Sequence, residues 1–140
     1  MPEKRFGLAV RAVIRDGQGR CLLLRRSGAC THFVGQWEWP GGKVDKGETF
    51  DAALRREVRE ETRLKVEPVG VVGAVGMEME KVRVAVLCLE ARLLGGTLRL
   101  DKDHDDSAWV PLADLPQWDL TDALKDLAAA YAAAKAKGGK

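Results

Sequence analysis

Two short strand-like runs, Val10 to Arg15 and Arg20 to Arg25, are mostly apolar and are joined by "DGQG", a hairpin signal. "SGACTHFVGQ" then reads as a loop and "WEW" as a short extended piece, because the residue before Pro40 avoids the helical region. From Thr49 to Leu64 the good helix formers Ala, Leu, Arg and Glu dominate, which predicts a helix. Phe50, Leu54 and Val58 mark the side of that helix expected to pack on a sheet. "VEPVGVVGAVG" is β-prone but interrupted by glycines, and Val82 to Leu93 is a nearly continuous strand. Gly95 and Gly96 turn that strand into "TLRL", and "SAWVPL" follows as another short strand. Leu120, Leu124, Leu127, Ala128 and Tyr131 recur at helical spacing near the end, predicting a second helix docked on the core. Residues 136–140 read as a disordered tail. Strands with two helices predict an α/β domain with a mixed β-sheet, one domain over residues 1–140.

Composition narrows the class. At 140 residues, with 46% hydrophobic and 31% charged positions, the chain is long enough for a substantial core. Its 23 Lys plus Arg nearly balance 21 Asp plus Glu, which gives no case for a nucleic-acid polymer or a membrane surface as partner. The longest apolar stretch, "PVGVVGAVGM", is about half a membrane span and broken by glycine, and the start lacks a signal-peptide core. Three cysteines without CxxC spacing fit a reducing cytoplasm, with Cys21 and Cys88 as small strand hydrophobes. The two histidines have no paired spacing, which argues against a zinc site, and His32 and His104 read as loop residues.

The chemistry concentrates in "GGKVDKGETFDAALRREVREET". On a helical wheel with Leu54 at zero, Glu61 falls at about 340° and Glu57 at about 300°, inside the apolar sector, with Glu60 at its edge near 240°. Carboxylates three and four residues apart repel, and unpaired charge turned toward the protein body is costly. Two arrangements resolve the conflict: ion pairs from a neighbour such as Arg56, or a hard divalent cation held by oxygen ligands. Gly41 and Gly42 add weight to the cation, since they suit a loop whose carbonyl contributes to a metal site. Glu48 precedes Thr49, where negative charge favours a helix start.

These residues resemble the Nudix hydrolase signature, G-x5-E-x7-R-E-U-x-E-E-x-G-U with U a bulky aliphatic residue. It runs here through Gly42, Glu48, Arg56, Glu57, Val58, Glu60, Glu61 and Leu64, with Arg63 where the signature has glycine. "WEWPGGKVDKGET" and "AWVPLADLP" also look like the family. The resemblance implies a Nudix α/β/α sandwich and Mg²⁺-dependent hydrolysis, with Mn²⁺ a substitute, of a nucleoside diphosphate linked to another moiety. By motif position Glu57 and Glu61 are the principal metal ligands, joined by the Gly41 carbonyl, while Glu60 binds a further ion or water. Either Glu60 or Glu57 helps deprotonate the nucleophilic water. Arg56 orients the carboxylates and pairs with Glu48. At the signature glycine position, Arg63 either keeps a left-handed helix end or lets the helix run on.

"WEWPGGK" is closest to the MutT-like branch, which implies a nucleoside triphosphate, oxidised ones included, cleaved to a monophosphate and pyrophosphate. The alternatives are a nucleotide-sugar or dinucleotide pyrophosphatase and an inactive binding module of the same fold. Arg25 and Arg26 end a strand ahead of the site, Arg26 being the nearer match to a family phosphate contact. Trp37 and Trp39 are either stacking surfaces for a base or structural residues. Asp119 is either a reader of the base edge or a helix N-cap. "DKDHDD", Asp101 to Asp106, reads as a solvated acidic loop that in this family can reach the site. The expected partner is a small-molecule nucleotide, and a homodimer is left open.

Overall fold

The computed structural model describes residues 4–138. Its elements are β1 (Arg5–Arg15), β2 (Arg20–Arg26), β3 (Trp37–Glu38), β4 (Gly41–Lys43), α1 (Phe50–Thr62), β5 (Lys65–Glu78), β6 (Val82–Gly95), β7 (His104–Pro111), a 3-10 helix (Leu112–Gln117) and α2 (Asp122–Lys137). The sheet runs β3-β2-β1-β6-β5, with β4 also on β1 and β7 also on β2. Among the pairings of these seven strands only β1–β6 is parallel and the others are antiparallel, so the sheet is mixed.

The expected hairpin forms, but β1 and β2 share one register position, Arg15 opposite Cys21, and then part. The returning chain fills the gap. β3 pairs with β2 at Leu24 and Arg25, and β4 pairs with β1 from Ala9 to Arg11. Trp39 and Pro40 cross between them, and the Ala12 N–H donates to the Pro40 carbonyl at 2.7 Å. Helices cover both faces, because strand side chains alternate. Val10, Ala12, Ile14, Leu22 and Leu24 point toward Ala53, Leu54 and Val58 of α1. Val13, Cys21 and Leu23 point the other way, toward Leu124, Ala128 and Tyr131 of α2. The result is an α/β/α sandwich.

Several expectations change. "TLRL" is not a strand. The segment and the residue after it turn to the end of α1: the Arg99 N–H reaches the Thr62 carbonyl at 2.9 Å and the Asp101 N–H reaches the Glu61 carbonyl at 3.1 Å. Those carbonyls lack intrahelical partners, so the segment acts as their cap. The glycines of β5 do not break it; they coincide with register shifts between Pro68 and Gly70 and between Val71 and Gly73. Phe50 stays exposed at the first turn of α1 instead of packing on the sheet. The acidic segment is not all loop, since His104 to Asp106 open β7. Ala136 and Lys137, assigned to the tail, are helical because α2 continues to Lys137; Gly139 and Lys140 lie outside the described residues.

The helix carrying the glutamates has sharp ends. The Thr49 hydroxyl accepts from the Ala52 N–H at 3.1 Å. At the other end Arg63 adopts φ 66°, ψ 10°, and its N–H returns to the Arg59 carbonyl. The helix therefore stops where the signature glycine would stop it, with an arginine in the left-handed region. Relief of that strain and the added freedom of the unfolded chain oppose each other, and relief is the larger. Arg63→Gly is expected to raise unfolding free energy by about 0.5 kcal/mol and to leave turnover within about threefold. Urea denaturation checks it: a clear loss of stability would contradict the left-handed cap.

Candidate active site

β4 and α1 build one side of the site. The Gly41 N–H donates to the Glu61 carboxylate at 3.0 Å, tying the helix to the sheet. Gly41 is required twice over. Its φ is 154°, and a Cβ there would lie 2.0 Å from the Val10 carbonyl oxygen. Gly42 leaves room for the next carboxylate, because a Cβ on it would sit 2.5 Å from Glu57 Oε2. Ala12 bonds Pro40 and Val44 bonds Leu8, so by antiparallel alternation the N–H and carbonyl of Gly41 face away from β1, on the side of Glu61.

Arg56 organises the carboxylates. Its Nε and Nη2 hold Glu48 at 2.8 and 2.9 Å, and Nη2 also reaches the Lys43 carbonyl at 2.9 Å. Its Nη1 reaches Glu57 at 2.9 Å and Glu60 at 3.0 Å. The pairing of Arg56 with Glu48 expected from the motif is present. Glu57 is half-buried and Glu60 is 56% exposed, so the three glutamates occupy a gradient from protein to solvent. Burial pushes Glu61 up to about 8, against the pull of Arg11 and His104. Such a carboxylate calls for more positive charge than the protein supplies.

Behind Glu61 lie Arg11, Glu38 and His104, to which the sequence reading gave no site role, and Asp101, from the acidic segment expected to reach the site. Buried Glu38 receives Arg26 Nη1 at 3.0 Å, Arg11 Nη1 at 3.4 Å and His104 Nε2 at 3.0 Å. The other His104 nitrogen meets Asp101 at 2.7 Å. Burial opposes the charge on Glu38, but Arg11, His104 and Arg26 outweigh it and hold the carboxyl at about 2. Burial opposes the charge on His104 too, and its bonds to Glu38 and Asp101 lift it to about 9. His104 is therefore no loop histidine. Glu61, Asp101 and His104 bring ligand atoms within 4.8 Å of one another, the spacing of a metal site. Both imidazole nitrogens already face carboxylates, which makes His104 the local cation and not a ligand. The legible signal was a charge embedded in an apolar run: Arg11 inside β1 and Glu38 between two tryptophans.

A cavity of about 170 Å³ adjoins this cluster, with Arg11 and Glu38 in its wall. Phe33, Val75, Met77 and Leu124 give it apolar sides. Arg26 lines it as well, but the guanidinium is committed to Glu38 and to the His32 carbonyl at 2.9 Å. Trp39 is 1% exposed, within the core beneath α2, so it offers no face for a base. It is structural because the crossover at Pro40 plugs it between β1 and β2. Trp37 packs edge-on against Trp118, ring centroids 4.7 Å apart. Asp119 is exposed and accepts from Gln36 Nε2 at 3.2 Å. The N-cap of α2 is Thr121, which disposes of that role for Asp119.

A strand-turn-helix that converges carboxylates near a small, mostly apolar cavity fits a hydrolase of phosphoric anhydrides. The chain matches the NUDIX domain over residues 5–131 and belongs to the Nudix hydrolase family. It is 41% identical over 105 residues to a protein named putative 8-oxo-dGTP diphosphatase 2 from Mycobacterium tuberculosis, covering 74% of this chain and 72% of the relative. It is 29% identical over 128 residues to nucleoside triphosphatase NudI from Klebsiella pneumoniae, covering 79% and 86%. Among solved structures, the MutT protein from Methanosarcina mazei Go1 superposes with a TM-score of 0.86 at 28% identity, each chain covered completely.

The buried charges fix how stability depends on pH. Glu61 rises from 4.5 to about 8 on folding, so its contribution is complete below about pH 4.5 and is lost as pH climbs through 8. His104 rises from 6.5 to about 9, so its contribution is lost over the interval up to 9. Glu38 works oppositely, falling from 4.5 to about 2, and its contribution is lost as pH drops through 2. In chelator the melting temperature is expected to fall steadily between pH 5 and pH 9, and Glu61→Gln should flatten the decline. A melting temperature that rises over this range would contradict the arrangement.

Proposed function

We propose that the chain is a divalent-cation-dependent pyrophosphohydrolase that converts a nucleoside triphosphate, oxidised ones included, to a monophosphate and pyrophosphate. The observation that carries this reading is the convergence of Glu57, Glu60, Glu61 and the Gly41–Gly42 backbone beside a small, mostly apolar cavity. The names of the relatives, an 8-oxo-dGTP diphosphatase and a nucleoside triphosphatase, support the substrate class.

The donor set suits Mg²⁺, with Mn²⁺ a substitute: carboxylates and a peptide carbonyl are hard oxygen ligands, and burial favours the protonated Glu61 until more positive charge is present. Glu57 and Glu61 would hold the ion with the Gly41 carbonyl. A cation held there would supply positive charge to offset phosphate oxygens and would make a nearby water more acidic. Glu60 is exposed, and its one cationic partner among the described residues is Arg56, which leaves it free for a further ion or water. Glu60 or Glu57 takes the proton of the attacking water. Arg56 keeps the carboxylates from turning away, and Glu48 fixes Arg56. The three cysteines are free, two of them buried, which supports placing the protein in a reducing cytoplasm. No helix among the described residues is long and apolar enough to cross a membrane.

Glu57→Gln and Glu61→Gln are each expected to lower turnover by about two orders of magnitude or more. Added Mg²⁺ should raise the melting temperature of the parent more than that of Glu61→Gln, since only the parent keeps the ligand charge. Equal shifts would place the ion elsewhere. Hydrolysis in ¹⁸O-water should put label into a phosphate product, and a trapped covalent enzyme intermediate would overturn attack by water.

A further inference from the structure

One arginine of the inner cluster has donors left over. Arg11 stands in β1 between Val10 and Ala12, both fully buried. Strand alternation turns its side chain to the α2 side, into the wall of the cavity. Its Nη1 donates to the Trp39 carbonyl at 2.9 Å and lies 3.4 Å from Glu38. Nε and Nη2 have no acceptor among the described residues. The side-chain nitrogens sealed among those residues without a partner are Arg15 Nε and Trp39 Nε1, so the spare donors of Arg11 stay open to the cavity it lines. A largely buried guanidinium with unpaired N–H groups favours an incoming anion.

Charge and position sharpen the chemistry. Glu38 answers three cations at once and holds Arg11 the most loosely, at 3.4 Å against 3.0 Å for Arg26 and for His104. Arg26 has less to offer, since its Nε is committed to the His32 carbonyl and its Nη1 to both Glu38 oxygens. Arg11 also stands opposite Gly41 in the β1–β4 register, so close that a Cβ on Gly41 would meet the Arg11 Cα at 2.7 Å. Gly41 is the residue whose N–H binds Glu61. The Arg11 side chain is thus rooted beside the glutamates and ends at the cavity. A molecule with an apolar end in the cavity and an anionic end at the glutamates passes it at the junction. Phosphate suits that place, because the planar fork of a guanidinium matches its oxygens.

We propose that Arg11 is a substrate-binding residue that grips an oxygen of the phosphate joined to the nucleoside, at the junction of the cavity and the glutamates. This rests on the reading that the chain cleaves a nucleotide whose base lies in the cavity. The contact keeps that phosphorus beside the glutamates and offsets the charge of its oxygens. Arg11 then carries the phosphate contact that the sequence reading gave to Arg26.

The test separates the phosphate from the rest of the nucleotide. Binding of deoxyguanosine and of dGMP is measured by calorimetry in chelator, so this arm depends on neither metal nor turnover. The parent is expected to bind dGMP about tenfold or more tighter than deoxyguanosine, the gain of a charge-assisted contact. Arg11→Gln, which keeps a donor for the Trp39 carbonyl, should cut that ratio to about threefold or less and leave deoxyguanosine affinity nearly unchanged. A role confined to holding Glu38 or Trp39 in place would weaken both ligands alike. Arg11→Lys keeps the charge without the fork and should fall between the two, and it serves if Arg11→Gln does not fold. With Mg²⁺ and dGTP, Arg11→Gln should raise KM by about tenfold. Equal binding of the two ligands by the parent, an unchanged ratio in the folded variants, or a ratio lost in Arg26→Gln but kept in Arg11→Gln would overturn the proposal. A parent whose preference for dGMP depends on Arg11 but which releases no pyrophosphate from dGTP with Mg²⁺ would sink the hydrolase reading and uphold this one.

Discussion

One hydrogen bond, from the Gly41 N–H to the Glu61 carboxylate, joins the two halves of the site. It exists because β1 and β2 diverge after a single shared register position and the chain between them must cross the gap. Crossing brings β4 so close to β1 that no side chain fits at Gly41, and it turns the Gly41 peptide toward α1. Remove the close approach and the helix loses its fixed distance from the sheet. The glutamates would then repel one another into solvent.

Two charged hubs of opposite sign share the work of holding that repulsion in check. Arg56 sits on the solvent side and distributes its donors over Glu48, Glu57, Glu60 and the Lys43 carbonyl. Glu38 forms the inner hub with reversed sign, one carboxylate serving Arg11, Arg26 and His104. Glu61 lies between them without an ion pair of its own among the described residues. Its charge is the most poorly compensated in the site, which is the condition a cation would relieve.

The outer hub was legible in the sequence and the inner one was not. Arg56, Glu57, Glu60 and Glu61 sit on one helix, so a wheel places them relative to Leu54 and Val58 without knowledge of the fold. Arg11, Glu38, Asp101 and His104 come from segments as far as 93 residues apart and meet only because β7 pairs with β2 and β3 lies on its other edge. Periodicity carries no such information. The same limit explains "TLRL", whose alternation suited a strand until the end of α1 claimed its backbone donors. Arg63 shows the reverse: the signature marked the position where the helix stops, and the backbone honours it with the wrong residue type for that conformation.

The bulged course of β5 bears on solubility. This strand is the sheet's outer edge, pairing only with β6, and it exposes Val69 and Val71, the latter at 72%. A straight edge of this length and apolarity would be a template on which another chain could grow, the first step of a cross-β assembly. Two bulges in the strand, at Val69 and Val72, alter the spacing of its outward N–H and carbonyl groups, so an arriving strand finds no regular row to match. The bulges beside Gly70 and Gly73 thus work against edge-to-edge growth of one molecule on the next.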